Sequence, residues 1–493
     1  MLLGIDVGTT HTKVGIYAVD GRLLAHRQAP TPLATGTVGP AHYDPDAMWQ
    51  VAARLVREAT HATDVRIAGL AVASMGESGV TLDADGRATH PVIPWYDDRA
   101  APQMQRLATV LAPARWHAIT GLYPNPIHTV AKWVWLQENA ASAWQRTRRW
   151  LSVTDYLGYR LTDRAVMEAS QAARTMAYDV QAGVWSQEIL DAAGVDASLL
   201  PPIVPAATLL GTVTPDASAI TGLPVDTPVF AGGHDHICAA LACGALTPSI
   251  ALDSQGTAEA LTLGLPTPPR PSAAAGFGTG PHVIDGCSYL LGGVYSSGGA
   301  LQWIRSALNL DGFDTLRELA GSVGPADAPL FIAHFHGAAP PFNDAEASGA
   351  FLEVRPEHGA ATLARAVYEG VAFELRAGLE ALERVTRIPI ELVRMVGGNA
   401  ADPLWARIRA AVLGRPLELP RHADAVTLGA ALLAGLGAGI YESPAAAVAR
   451  TYRARTTFLP DPAWQRTYDD RFLDYVRYAR ALQACRAQGG AST

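Results

Sequence analysis

The chain has 493 residues, 49% of them hydrophobic, and a formal net charge of -8. That length exceeds what one core organises, so two large domains are expected. Its charges are scattered without a basic stripe, which argues against nucleic-acid or membrane-surface partners, and no apolar run approaches the roughly 18 to 20 residues of a membrane span.

The four cysteines (Cys238, Cys243, Cys287, Cys485) contain no Cys-x-x-Cys pair and read as small hydrophobes in a reducing compartment. With a strand-like start at Met1 to Asp6 and no charged leader, the expectation is a cytoplasmic protein.

Leu2 to Ile5 read as a short strand, Asp6-Val7-Gly8-Thr9-Thr10 as a polar turn and Lys13 to Val19 as a second strand. A hairpin turn that offers backbone N–H groups, two hydroxyls and a nearby Lys13 suits a phosphate chain with its metal, although the same residues also make an ordinary turn. Gly69 to Ser78 is another strand running into a turn, with Glu77 at its mouth. Pro91 to Arg99 gathers Trp95, Tyr96, Asp97, Asp98 and Arg99. Aromatic faces with Asp and Arg reading hydroxyls is sugar or polyol chemistry; core packing and a surface ion pair are the plain alternative.

Thr129 to Asn139 has the spacing of a helix, and residues 201 to 228, rich in Pro, Thr and Gly, read as an extended crossing segment. It leads into Val229-Phe230-Ala231-Gly232-Gly233-His234-Asp235-His236. This is an apolar strand ending in an open turn that presents one carboxylate between two histidines. Residues at the carboxyl end of a strand face the crevice where α/β folds bind ligands, so Asp235 is the candidate catalytic base.

Ser249 to Leu261 then repeats the opening pattern: apolar strand, Asp253, Gly256-Thr257 turn, apolar strand. An internal duplication, with two domains of one topology facing a cleft, follows naturally. Pro266 to Ala275 looks like a loop inside the second domain, and Gly292 to Trp303 like a Gly/Ser turn joined to a helix. Leu363, Val367, Val371, Leu375, Leu379 and Leu382 form an apolar helical stripe, which is core. Leu392 to Val396 is a strand ending in Gly397-Gly398-Asn399, where two glycines let a flat ring approach the backbone; Asp402-Pro403 caps the next helix. Thr427 to Gly435 is a helix of small residues, and Trp464, Tyr468, Phe472 and Tyr475 repeat at helical spacing in the tail.

Taken in order, these motifs resemble the FGGY carbohydrate kinases of the actin and hexokinase-like ATPase superfamily. Gly4 to Thr10 is similar to that family's first phosphate loop, Gly256-Thr257 to its second and Gly397-Gly398-Asn399 to its adenosine loop. Lys132 to Asn139 and Ala366 to Val371 are similar to its two signatures. The resemblance implies an α/β protein with two ribonuclease-H-like domains, residues 1–245 and 246–493, and ATP with Mg2+ and a small sugar or polyol in the cleft between them. It implies Asp235 as general base; Asp6 and Asp235 at the metal; Gly8, Thr9, Thr10, Lys13, Gly256, Thr257, Gly397, Gly398 and Asn399 at the nucleotide; and Glu77, Trp95, Asp97, Arg99 and His236 at the substrate. A homodimer is compatible with it, though no stretch marks an interface.

Three departures leave the substrate open among ketopentoses, small polyols and sugar acids. Glu77 stands where xylulose-type relatives carry Met-His-Gly and lacks the neighbouring arginine of glycerol-type ones. A Gly-Glu-Arg turn is replaced by Gly337-Ala338-Ala339-Pro340, and Asp235 is flanked by two histidines. Two other readings compete. His234, His236, His334 and His336 could form the metal site of a hydrolase, since His-x-His on a strand puts both rings on one face. A catalytically silent nucleotide- or sugar-binding regulator of the same fold is the other.

Overall fold

The computed structural model describes residues 1–34, 40–63, 65–267, 269, 276–325, 327–422 and 424–489. Strands β1 (Leu2–Val7), β2 (His11–Tyr17), β3 (Leu23–Pro30), β4 (Gly69–Ser74), β5 (Leu209–Thr212) and β6 (Pro228–His234) form one sheet in the order β5-β6-β4-β1-β2-β3. β1, β2 and β3 are antiparallel neighbours, while β4 runs parallel to β1 and β6 parallel to β4. β1 is buried along its whole length, which is why its sequence is a continuous apolar run up to Asp6.

The second sheet contains β7 (Ile250–Gln255), β8 (Glu259–Leu265), β9 (Gly278–Pro281), β10 (Ser288–Val294), β11 (Leu392–Gly397), β12 (Leu417–Pro420) and β13 (Ala454–Phe458), in the order β9-β10-β8-β7-β11-β12-β13. β7 is antiparallel to β8 and parallel to β11, and β8 pairs antiparallel with β10. The path β10-β8-β7-β11-β12 therefore repeats β3-β2-β1-β4-β6. The expected duplication is present in the topology.

Each sheet buries its outer face under its own helices. Helix α1 (Pro45–His61), capped by Asp44 accepting from the Ala47 N–H at 2.9 Å, packs Met48, Trp49 and Val56 against Leu3, Ile5 and Val14. Other helices that carry site residues are α2 (Thr129–Asn139), α3 (Ala169–Arg174) and α4 (Asp235–Ala242). On the second sheet α5 (Ala360–Thr386) and α6 (Pro403–Leu413) bring Val367, Val371, Trp405 and Ile408 onto Ala251 and Leu263.

The inner faces meet over two helices, α4 and α7 (Ala425–Gly437). Leu2 of one sheet and Leu252 of the other share a core with Ile237, Leu241, Leu428 and Leu432. The crossing of α4 and α7 is close enough that a Cβ on Gly429 would stand 2.0 Å from the Cys238 carbonyl oxygen, so small residues there are a packing requirement. The tail forms α8 (Pro462–Gly489) and buries Tyr468, Phe472 and Tyr475.

Several local expectations change. Residues 201–228 are not one extended crossing: they hold β5 and a helix, Pro215–Thr221, started by Thr214 accepting from the Ala217 N–H at 3.2 Å with Pro215 in the first turn. Gly292 and Gly293 belong to β10, and the turn starts after Val294. Cys238 and Cys243 are buried, but Cys287 is half-buried and Cys485 exposed. The expected loop Pro266 to Ala275 lies mostly outside the described residues.

A register shift between Phe230 and Gly233 makes a bulge in β6 against β4. The bulge depends on Gly232, whose added Cβ would meet the Val72 carbonyl oxygen at 1.6 Å, a backbone atom that cannot give way. Gly232→Ala is expected to cost about 3 kcal/mol, read as a drop of several degrees in the thermal unfolding midpoint.

Candidate active site

The bulge aims the end of β6. The strand then passes straight into α4 with no open turn: His234 is the last strand residue and Asp235 the first helical one. A carboxylate in a helix's first turn faces the positive end of its dipole. Asp235 Oδ1 accepts from the His236 N–H at 2.6 Å, with His234 Nε2 at 3.2 Å and His236 Nε2 at 4.0 Å. Its side chain keeps 21% exposure, in contrast to His234, which is buried. Burial, helped by Arg174 and His236, pushes His234 well below the usual histidine range, so that ring is neutral.

Asp6 ends β1 beside this junction. Lys13, opposite it in the β1–β2 ladder, places Nζ 3.5 Å from Asp6 Oδ2, while Asp6 Oδ1 is buried without a partner. Burial raises Asp6 to about 8; Asp424 and Asp235 add to that and Lys13 opposes it. Asp424 caps α7 by accepting from the Thr427 N–H at 3.2 Å, and its other oxygen lies 3.2 Å from His26 Nε2 and 4.0 Å from Lys13 Nζ. Three carboxylates and one lysine thus converge at the meeting of the two sheets.

The first Gly-Thr turn is braced from three sides. Thr31 Oγ1 donates to the Gly8 carbonyl at 2.8 Å, the Tyr43 hydroxyl to the Thr9 carbonyl at 3.0 Å and Trp95 Nε1 to Thr9 Oγ1 at 2.8 Å, while Thr10 is exposed. At the end of β7 the second turn holds Gly256 by its N–H donating to the Ala258 carbonyl at 2.8 Å. Thr257 accepts at its carbonyl from Ser297 N–H at 3.2 Å and Gly299 N–H at 2.9 Å. The third glycine segment joins it: Asn399 Nδ2 donates to the Gly256 carbonyl at 3.5 Å, and Gly397 takes a φ of 102° that disfavours a side chain. Gly398 to Ala401 form a short 3-10 turn.

The third part is a wall around Glu77, which has a φ of 56°. Its carbonyl accepts from Thr129 Oγ1 at 3.1 Å and from Lys132 Nζ at 3.1 Å; the same ammonium reaches the Pro94 carbonyl at 2.9 Å and the Trp95 carbonyl at 3.3 Å. Burial pulls Lys132 down to about 7, with Glu77 and Asp97 opposing. Three carbonyl acceptors nonetheless match the three N–H groups of the charged form. Arg174 Nε donates to Glu77 Oε1 at 2.6 Å, with Arg174 Nη2 on the same oxygen and His128 Nδ1 4.0 Å away. Gly76 connects the wall to the base, since a Cβ there would touch both Arg174 and His234, at 3.0 and 3.1 Å.

The candidates therefore fall into groups. Asp6, Lys13 and Asp235 come together; Gly256, Gly397 and Asn399 come together with Thr257; Trp95 belongs with Thr9, and Glu77 with Arg174, which Gly76 places beside His234. Asp97 and Arg99 are closed on one another: Arg99 Nε donates to Asp97 Oδ1 at 2.7 Å and Nη2 to Oδ2 at 2.6 Å, and the guanidinium lies 5.3 Å over the Trp135 ring. Burial would raise Asp97, but Arg99 overrides it and holds the carboxyl below its usual range. Arg99 Nη2 also donates to the Ala41 carbonyl at 2.8 Å.

The four-histidine metal set is not assembled. His334 is buried in the second core with Nε2 3.0 Å from Glu374, which also accepts from the Tyr475 hydroxyl at 2.6 Å, and His336 faces Ser296. Among the described residues no three His, Cys, Asp or Glu side chains come together as a metal cluster. Sequence reading missed Asp424, Arg174 and His128. Asp424 carries an N-cap signal, but nothing in the local pattern ties Arg174 or His128 to Glu77.

Two repeated sheets around paired inner helices, with glycine turns at the strand ends, are the two-domain architecture of actin and hexokinase-like proteins. The chain belongs to the FGGY family of carbohydrate kinases: residues 1–242 match that family's N-terminal domain and residues 254–438 its C-terminal domain. Members are phosphotransferases with an alcohol group as acceptor. The chain is 28% identical over 468 residues to the xylulose kinase of Lactococcus lactis, covering 94% of this chain and 93% of that one. It is 29% identical over 482 residues to the glycerol kinase of Myxococcus xanthus, covering 93% and 95%. The xylulose kinase structure from Rhodospirillum rubrum superposes with a TM-score of 0.89 at 26% identity, covering 98% of this chain and 99% of the other. No helix among the described residues is long and apolar enough to cross a membrane.

Proposed function

We propose that this chain is an ATP-dependent kinase that phosphorylates a hydroxyl of a small sugar, ketose or polyol, with Asp235 as general base. The observation that carries the reading is the placement of a part-exposed carboxylate at the β6–α4 junction, between Asp6 with Lys13 on one side and the Glu77 wall on the other. Asp235 accepts the proton of the substrate hydroxyl as its oxygen attacks the γ-phosphoryl group. Positioning and charge neutralisation do the rest, because phosphoryl transfer needs little covalent help. The turns at Gly8, Thr9 and Thr10 and at Gly256 and Thr257 supply phosphate contacts, Lys13 a compensating charge, and Gly397, Gly398 and Asn399 the face for the nucleobase. Glu77, Trp95, Asp97, Arg99 and His236 form or brace the substrate side.

Mg2+ suits the neighbourhood of Asp6 and Asp235, where phosphate oxygens and water would complete its shell. The unpartnered Asp6 Oδ1, crowded by Asp235 and Asp424, is the environment a divalent cation relieves. Asp6 and Asp235 would hold it, directly or through water, and its chemistry there is to neutralise phosphate charge. The division into residues 1–245 and 246–493 belongs to the same reading, with closure of the halves excluding water from the reacting groups. A silent regulator of this fold would have no use for a base so placed.

The reading is tested by acceptor-dependent ADP release across pentoses, ketoses, alditols and aldonic acids. Release with at least one acceptor and little without any is expected; ADP formation indifferent to acceptor, or none at all, counts against it. The bond from Trp95 to Thr9 gives a finer expectation. Trp95→Phe removes one hydrogen bond worth about 1 kcal/mol and lowers kcat/KM for ATP roughly fivefold. An unchanged value would show that Trp95 does not brace the phosphate turn.

A further inference from the structure

Among the described residues, every cation around the Glu77 wall is engaged. Arg174 donates Nε and Nη2 to one Glu77 oxygen, and Tyr289, from the second sheet, lies against the same guanidinium. Arg99 is forked onto Asp97. Lys132 spends its ammonium on three carbonyls, and Lys13 faces Asp6 and Asp424. His128 and His234 are buried and driven to the neutral form, and His236 faces Asp235. What the wall offers a ligand is therefore a neutralised carboxylate as hydroxyl acceptor, imidazole rings and aromatic edges.

We propose that Arg174 sets the charge selectivity of the acceptor site: by pairing with Glu77 from α3 it leaves no free cation in the wall among the described residues, and the acceptor the wall fits is an uncharged polyhydroxy compound, an alditol or ketose, not an aldonic acid. The inference rests on the kinase reading and deepens it. An aldonate carboxylate entering the wall loses its hydration without gaining a counter-ion, whereas hydroxyls of a neutral polyol find Glu77 as an acceptor.

The test compares matched alditols and aldonates of three to six carbons by kcat/KM, in the wild type and in Glu77→Gln. The wild type is expected to favour the neutral member by at least roughly 100-fold. Glu77→Gln keeps the shape but releases Arg174 to pair with a ligand carboxylate, so the ratio falls roughly tenfold or more. The double variant Glu77→Gln/Arg174→Gln, which removes both charges, restores the preference for the neutral member. Calorimetric titration with the same compounds reads the pairing without turnover, and thermal melts confirm folded protein. A wild type that prefers an aldonate, or a ratio unchanged in Glu77→Gln, overturns the proposal while leaving the kinase reading intact. If no acceptor is turned over, the kinase reading fails by itself, and aldonate binding no tighter in Glu77→Gln than in wild type overturns the proposal separately.

Discussion

Asp235→Asn is expected to lower kcat by roughly 1,000-fold, within the range typical of losing a positioned general base, while ATP binding changes by no more than about twofold. Asparagine preserves the local geometry, because its Oδ1 can still accept from the His236 N–H that Asp235 holds at 2.6 Å. What it loses is the capacity to take up a proton beside the substrate hydroxyl and one carboxylate charge at the proposed metal position, so nucleotide affinity is compared without Mg2+. The pairing of lost kcat with retained nucleotide affinity separates this role from a structural one, since displacement of α4 would disturb both. Nucleotide titration and single-turnover kinetics on the same preparation decide it; substantial activity in the variant removes Asp235 from its proposed role.

Arg409→Leu is expected to cost 3 to 5 kcal/mol, roughly, as is usual when one partner of a buried ion cluster is removed. Arg409, Asp253 and Glu259 have fully buried side chains. Arg409 Nη1 donates to Asp253 Oδ2 at 2.7 Å and Nη2 to Glu259 Oε1, which also accepts from Ser297 Oγ. Gln255 Nε2 donates to Asp253 at 2.8 Å, and the guanidinium lies 4.0 Å over Trp405. Burial and the adjacent Glu259 raise Asp253 to about 7, with Arg409 opposing. The folded-state value lies above the unfolded one, so the stability this group contributes is complete below about pH 4 and is lost as pH rises towards 7.

Without Arg409 that loss continues to higher pH, and thermal melts from about pH 6 to 9 should show the variant's deficit growing with pH. Adding Asp253→Asn and Glu259→Gln should recover part of it, since a buried cluster without ions costs less than one with a charge unpaired. The effect reaches the candidate site through Ser297, whose N–H donates to the Thr257 carbonyl. A variant as stable as the wild type at pH 8 would contradict this account of the cluster.

Asp253 also shows where sequence reading reached its limit. The recurrence of apolar strand, Asp and Gly-Thr turn revealed the duplication, and β1-β2-β4 and β7-β8-β11 have the same pairing. The aspartates are not equivalent, however. Asp6 lies two residues before Gly8 and Asp253 three before Gly256, and one position of offset turns a strand residue to the opposite face. Asp6 therefore faces the cleft side with Lys13, while Asp253 faces α6 and Arg409.

The pieces legible in the sequence were those carried by contiguous residues: the helical stripe of α5, the cap at Asp402, both Gly-Thr turns and the strand leading to Asp235. Pairings made across the fold were not. Asp97 and Arg99 read as hydroxyl readers from the sequence, and only the fold shows that, two residues apart, they also pair with one another. Arg174 carries no local signal, and Asp424 only that of a helix cap, because their partners Glu77, Lys13 and His26 are brought to them by packing of α3 on the first sheet and of α7 between the sheets.

The central claim, transfer of a phosphoryl group from ATP to a carbon-bound hydroxyl with Asp235 as base, is tested most directly by following the phosphoryl group itself. The purified protein is incubated with ATP, Mg2+ and the best acceptor from the ADP-release screen, and the products are identified by mass spectrometry and phosphorus NMR. One phosphorylated acceptor per ADP is predicted, with product all but absent for Asp235→Asn. ADP accompanied by inorganic phosphate and unmodified acceptor, or equal product from the wild type and Asp235→Asn, would contradict the account.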